Sequence, residues 1–231
     1  MARSVIVTGG FGVLGQAVAE TFAAAGYKVA RIDFAPNPVK SIDGALDIGG
    51  VDLTNADATS AALGKVREAH GGIDVLVNVA GGFIWETLEG GSLDSWARMH
   101  AMNVTTNATI TQLALPDLKA SGAKSAEGGR VINIGAGAAI KAAMGMGAYA
   151  ASKAGVHRLT EALAEELAGD GVTVNAVLPS IIDTPTNRAD MPDADTSQWV
   201  QPAAIGDVIL FLASPAARAV TGALIPVTRG G

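Results

Sequence analysis

Tyr149 and Lys153 stand four residues apart in the run Tyr-Ala-Ala-Ser-Lys, where apolar residues Val156, Leu159, Leu163 and Leu167 begin to recur at helical spacing. Side chains at i and i+4 project from one face of a helix, so the ammonium can reach the phenol. A cation beside a phenol favours the phenolate: it lowers a pKa of about 10, and each unit corresponds to about 1.4 kcal/mol. Tyr149 in that setting gives and takes protons near neutral pH, as a general acid and base must. The pair also admits a plain structural reading, an exposed tyrosine and lysine sharing a helix face by coincidence.

A proton donor needs something to act with, and the N-terminal stretch supplies a binding element. Ser4 to Thr8 reads as a short buried strand, Gly9-Gly10-Phe11-Gly12 as a turn, and Val13 to Ala25 as a helix. Gly10, Gly12 and Gly15 fit the G-x-G-x-x-G spacing, which allows a tight turn, close approach of a pyrophosphate and close helix packing. Backbone N–H groups at the helix start would hold the phosphates. The next strand, Lys28 to Ile32, ends in Asp33, eighteen residues after Gly15, where an acid accepts from ribose hydroxyls and repels a 2′-phosphate. NAD(H) is therefore preferred. NADP(H) stays open because Arg31 precedes Asp33 by two residues and shares its strand face.

The remaining elements must carry these residues to one place. Phe34 to Gly50 reads as an irregular connection, Val51-Asp52-Leu53 as a third strand, Ala56 to His70 as a helix, and Ile73 to Val79 as a strand running into Ala80-Gly81-Gly82. A helical region from Ser92 to Lys119 contains Asn103, readable equally as a satisfied buried amide or as a catalytic one. Ser121 to Gly129 reads as a surface loop and Arg130 to Ile134 as a strand. The Tyr149 helix runs to Leu167 with Gly169 as its cap, and Val172 to Leu178 is another strand. Pro179 to Gln201 is long enough to be a lid or binding element, with Trp199 either on the substrate or as an anchor. Ala203 to Ala213 and Leu224 to Val227 give a last helix and strand. Regular alternation of strand and helix predicts α/β architecture, a single Rossmann-type doubly wound parallel sheet over residues 1–231 with helices on both faces.

Composition narrows the function. A formal net charge of -6 without clustered basic residues leaves no nucleic-acid footprint, and no apolar run is long enough to span a membrane. With no cysteine there is no thiolate nucleophile or Cys-based metal site, and His70, His100 and His157 lack metal-ligand spacing. Met1 to Ser4 leaves no room for a signal peptide before Val5, so a cytoplasmic location is the expectation.

From Val5 to Gly231 the chain resembles the short-chain dehydrogenase/reductase family. Thr8-Gly9 with Gly12 and Gly15 looks like its cofactor turn, Asp52-Leu53 like its adenine-contacting step, Asn78-Val79-Ala80-Gly81 like its Asn-Asn-Ala-Gly segment, and Tyr149 to Lys153 like its Tyr-x-x-x-Lys signature. Thr221-Gly222 and Gly230-Gly231 are similar to its C-terminal signature. The resemblance implies cofactor contacts from Gly9, Gly12, Val13, Leu14, Gly15, Asp33, Asp52, Leu53, Asn78, Ala80, Gly81, Pro179, Ile182 and Thr184, besides Tyr149 and Lys153. It implies Tyr149, Lys153 and Asn103 as catalytic residues, with Asn103 orienting Lys153 through a water, and a homodimer or homotetramer acting on a small molecule.

The chain departs from the family at two positions. The family's serine, thirteen residues before the tyrosine, is replaced by Ala136, and Val13 stands where most simple members have glycine. Both departures are shared with the dihydropteridine reductase branch, which the stretch from Asp183 to Trp199 also resembles; Phe83 takes the place of a tryptophan there. The expected activity is hydride transfer between nicotinamide C4 and a C=N, quinonoid or C=O bond, with Ala136, Phe83 and Trp199 at the substrate. A 3-oxoacyl or secondary-alcohol reductase is the alternative within the class, and an NAD(H)-sensing protein without turnover the alternative outside it.

Overall fold

The computed structural model describes residues 2–124 and 127–229. Gly230-Gly231 of the C-terminal signature, and part of the Ser121 to Gly129 loop, lie outside the described residues. Seven parallel strands form one sheet: β1 (Ser4–Thr8), β2 (Lys28–Ile32), β3 (Leu46–Ile48), β4 (Val75–Asn78), β5 (Gly129–Ile134), β6 (Val172–Pro179) and β7 (Leu224–Val227), in the order β3-β2-β1-β4-β5-β6-β7. Alternation along the strands feeds two separate cores. Ile6, Ile32, Leu76, Val131 and Val174 face one side, under α2 (Ala56–His70), α4 (Thr106–Lys124) and α5 (Gly147–Glu166). Val5, Val7, Val29, Val77, Ile132 and Val177 face the other, under α1 (Val13–Ala24) and α7 (Pro202–Ala213). The predicted doubly wound α/β sheet is what forms.

β1 pairs with β2 on one side and β4 on the other, so the chain winds away in both directions from the β1/β4 boundary. Such a switch point opens a crevice beyond the carboxyl ends of the strands, and Thr8 and Asn78 stand at those ends.

Three element boundaries differ from expectation. The third strand is Leu46–Ile48, inside the stretch read as irregular, and Val51 to Leu53 is not a strand. Gly50 has φ of +72°, which turns the chain out of the sheet, while Val51 and Leu53 still bury their side chains. The long helix continues through Lys124 rather than ending at Lys119; a Cβ on Gly122 would fall 2.1 Å from the carbonyl oxygen of Asp170, so this glycine serves close packing rather than a turn. The connection from Ser180 to Gln201 contains α6 (Pro185–Asp190) and is tied at its neck by a parallel bridge between Ile182 and Val200. Among the described residues no helix is long and apolar enough to cross a membrane.

Candidate active site

The β1–α1 turn shapes one end of a cleft of about 810 Å³. A Cβ on Gly15 would meet the Gly9 carbonyl oxygen at 2.1 Å, so only glycine lets α1 start this close to the turn. α1 begins at Gly12 without a side-chain cap and without an acid in its first turn, leaving its N–H groups and positive dipole end for an anionic ligand. Gly9, Gly12, Val13, Leu14, Gly15, Asp33, Asp52, Leu53, Ala80, Gly81 and Thr184 all line the cleft. Val13, in place of a family glycine, is 46% exposed there.

Asp33 is fixed at the rim. Its carboxylate accepts from Phe11 N and Ala35 N at 2.9 Å each, which aims it across the cleft mouth. Arg31, which kept the 2′-phosphate possibility open, is fully buried and turned elsewhere. Its Nε and Nη2 donate to the two oxygens of Asp47 at 2.7 Å, and its Nη1 donates to Gln16, to the Lys40 carbonyl and weakly to the Gly10 carbonyl. A guanidinium has five N–H groups, and these partners occupy its three nitrogens.

Eight of the expected cofactor or substrate contacts do not line this cleft: Asn78, Phe83, Ala136, Tyr149, Lys153, Pro179, Ile182 and Trp199. Asn78 is buried: its amide donates to Asn133, Thr111 and Asn107 in a polar network between β4, β5 and α4, so it pins the sheet to the helix. Pro179 is buried at the end of β6, and Ile182 packs against the second core where the bridge to Val200 closes the lid's neck. Trp199 is 4% exposed and takes the anchor role instead of a substrate contact.

The chemistry lies at the start of α5. Tyr149 is half-buried, with Phe83 packed edge-to-face on it at a centroid distance of 4.9 Å. Lys153 is buried beside Gly81, and its Nζ donates to the Ile134 carbonyl at 2.8 Å. The expected lowering of the phenol pKa does not occur: burial pushes Tyr149 up to about 12 and Lys153 down to about 8. The ammonium sits 6.0 Å from the ring centroid and spends its short hydrogen bond on a backbone carbonyl, so loss of hydration outweighs the pairing.

Asn103 occurs in a π-helical turn, Ala101–Thr105, a distortion frequent at functional sites. Its amide is satisfied within the protein. Oδ1 accepts from Gly82 N at 3.0 Å, and Nδ2 donates to the Gly82 carbonyl at 3.1 Å and to Ser152 Oγ at 2.9 Å. These bonds make the Asn103 side chain a clasp between the Gly81-Gly82 loop and the first turns of α5. Ala136, 5% exposed, follows β5 with a methyl where the family has its hydroxyl. Sequence reasoning missed Met102 and Thr106, which line the cleft; no motif marks them, since the π turn decides where they point.

The fold and site together define a cleft beyond the ends of β1 and β4, with Lys153 packed beside its Gly81. The short chain dehydrogenase family matches residues 3–195, and the chain belongs to that family. It is an oxidoreductase of the short-chain dehydrogenase class. Its relatives include the acetoacetyl-CoA reductase of Shinella zoogloeoides, 33% identical with coverage of 100% of this chain and 98% of the relative. The 3-oxoacyl-[acyl-carrier-protein] reductase of Vibrio cholerae serotype O1 is 31% identical, covering 97% of this chain and 95% of the relative. A crystal structure of the 3-ketoacyl-(acyl-carrier-protein) reductase from Brucella melitensis complexed with NADH superposes with a TM-score of 0.85 at 26% identity, covering 97% of this chain and 96% of that one. These relatives lend no support to the finer likeness to dihydropteridine reductase.

Proposed function

We propose that the protein is an NADH-linked reductase of strongly electrophilic acceptors, C=N or quinonoid, in which Tyr149 delivers the proton. The observation that carries the acceptor class is the methyl of Ala136. In the family the serine at that place donates to the substrate oxygen as charge develops, and removing such a donor costs on the order of 1–4 kcal/mol. An unactivated ketone loses most. A conjugated acceptor spreads the incoming charge and needs only the proton.

The small residues Gly9, Gly12, Ala80 and Gly81 line the cleft and fit a dinucleotide, which supplies hydride from its nicotinamide when bound. Asp33 would hold the adenosine ribose, and Arg31, committed to Asp47, would leave a 2′-phosphate unmatched. Burial keeps the Tyr149 phenol protonated, which is the form a reduction consumes. After the proton moves to the substrate nitrogen or oxygen, the phenolate is left near Lys153, which at neutral pH is still mostly charged, and the attraction is gained as the transfer proceeds. Phe83 and the Gly135 to Ala138 wall would border the acceptor.

A second reading, reduction of 3-oxoacyl thioesters, is favoured by the named relatives. The two separate in one kinetic comparison. With NADH, a quinonoid dihydropterin should exceed acetoacetyl-CoA in kcat/KM, and Ala136→Ser should narrow or reverse that order. Preference of the wild type for acetoacetyl-CoA would establish the second reading and mean that another donor replaces the serine.

A further inference from the structure

α5 places three functional side chains at successive turns of one face: Tyr149, Lys153 and His157. The proposed chemistry uses only the first two. His157 is 2% exposed, and its Nε2 lies 3.3 Å from the backbone nitrogen of Ala136. A backbone N–H can only donate, so Nε2 accepts and the ring is neutral with its proton on Nδ1. The fit is mutual. A Cβ on Gly135 would fall 2.5 Å from Nε2 and 2.9 Å from Cδ2, so the glycine before Ala136 is what admits the ring. One turn earlier, Lys153 Nζ donates to the Ile134 carbonyl. Two α5 side chains thus grip the chain on either side of Gly135, in the segment that carries Ala136.

We propose that His157 is a positioning residue, whose neutral imidazole pins the Ala136 amide and fixes the Ile134 to Gly137 segment on which Lys153 and the substrate wall depend. The inference rests on the oxidoreductase reading of Tyr149 and Lys153. Protonation would set a donor against the Ala136 N–H, and the clamp would open. Lys153 and Arg158 oppose a positive charge on the ring and Glu161 favours one; all three lie on α5, while the facing residues Ile134 to Ala136 and Leu178 carry no charge. Burial first, then Arg158 and Lys153, hold the pKa below the ordinary 6.5. The unfolded chain therefore takes the proton first as pH falls. The clamp's contribution is complete above 6.5 and is lost as pH drops through the lowered folded value.

The test compares wild type with His157→Gln, whose amide oxygen can accept near the place of Nε2, and His157→Leu, which fills volume without accepting. The first readout is hydrogen exchange at the Ala136 amide, followed by NMR on 15N-labelled protein from pH 5 to 8 and corrected for intrinsic exchange. Wild-type protection should fall on the acid side, His157→Gln should keep it across the range, and His157→Leu should lack it throughout. The second readout is NADH turnover with quinonoid dihydropterin and with acetoacetyl-CoA. His157→Leu should lower kcat about tenfold to a hundredfold with NADH affinity little changed, as expected for misplaced groups, and the wild-type acid limb below pH 6.5 should be absent in His157→Gln. Identical behaviour of the two variants, or an acid limb that persists in His157→Gln, would overturn the proposal and leave His157 as packing alone. If neither acceptor is turned over by wild type, both acceptor readings of the proposed function have failed, and the exchange data still decide whether the clamp exists.

Discussion

Tyr149→Phe is expected to lower kcat by at least about a hundredfold while NADH affinity stays within about twofold, since a proton donor to the reacting atom contributes about 10²–10⁴ in rate. The substitution removes only the hydroxyl. The ring that Phe83 packs against at 4.9 Å remains, so thermal stability should be nearly unchanged and serves as the control for folding. Lys153→Ala should damage both turnover and NADH binding, because it removes the charge that receives the phenolate and also empties a buried site tied to Ile134. Near-normal turnover by Tyr149→Phe at saturating NADH would remove Tyr149 as the donor and return the pair to coincidence on a helix face.

The second large effect concerns the cofactor. NADH should bind at least about tenfold more tightly than NADPH, a difference of about 1.4 kcal/mol or more. Asp33 alone would not secure that result, since a nearby guanidinium can accept a 2′-phosphate. The fixed state of Arg31 favours it: rotating it toward the cleft would leave the Asp47 carboxylate without its two 2.7 Å bonds and abandon a fully buried position. Asp33→Ser should weaken NADH and narrow the gap. Titration by nicotinamide fluorescence measures both, and equal or tighter NADPH binding by the wild type would show that Arg31 leaves Asp47.

The sheet and its winding were legible because strands buried on both faces read as short continuous apolar runs, and helices as 3.6-period ones. β7 and α2 stand where the sequence puts them, and so do Tyr149 and the glycine turn. What was not legible depends on contacts distant in sequence. β3 hid in a proline-rich connection because three residues suffice when β2 supplies the partner. Gly122 reads as a breaker and is a packing residue, because its neighbour, Asp170, lies on another element. The role of Asn78 required seeing Asn107, Thr111 and Asn133 converge on it. The pKa expectation for Tyr149 failed for a related reason: the spacing brings a lysine near but says nothing of how deeply both are buried.

On the proposed reading, whatever the substrate, hydride passes from the nicotinamide to an acceptor within this cleft. The direct measurement is label transfer, with NADH deuterated at C4 on each face in turn, wild-type protein, and quinonoid dihydropterin and acetoacetyl-CoA as acceptors. NADH labelled on one face only should yield unlabelled NAD⁺ with either acceptor, and that deuterium should appear at the carbinol carbon of reduced acetoacetyl-CoA if that acceptor is used, whereas on a pterin nitrogen it exchanges with water; turnover should be abolished or strongly lowered in Tyr149→Phe. Tight NADH binding with neither acceptor driving oxidation of NADH or loss of its deuterium would contradict the account and support a protein that senses NAD(H) without turning it over.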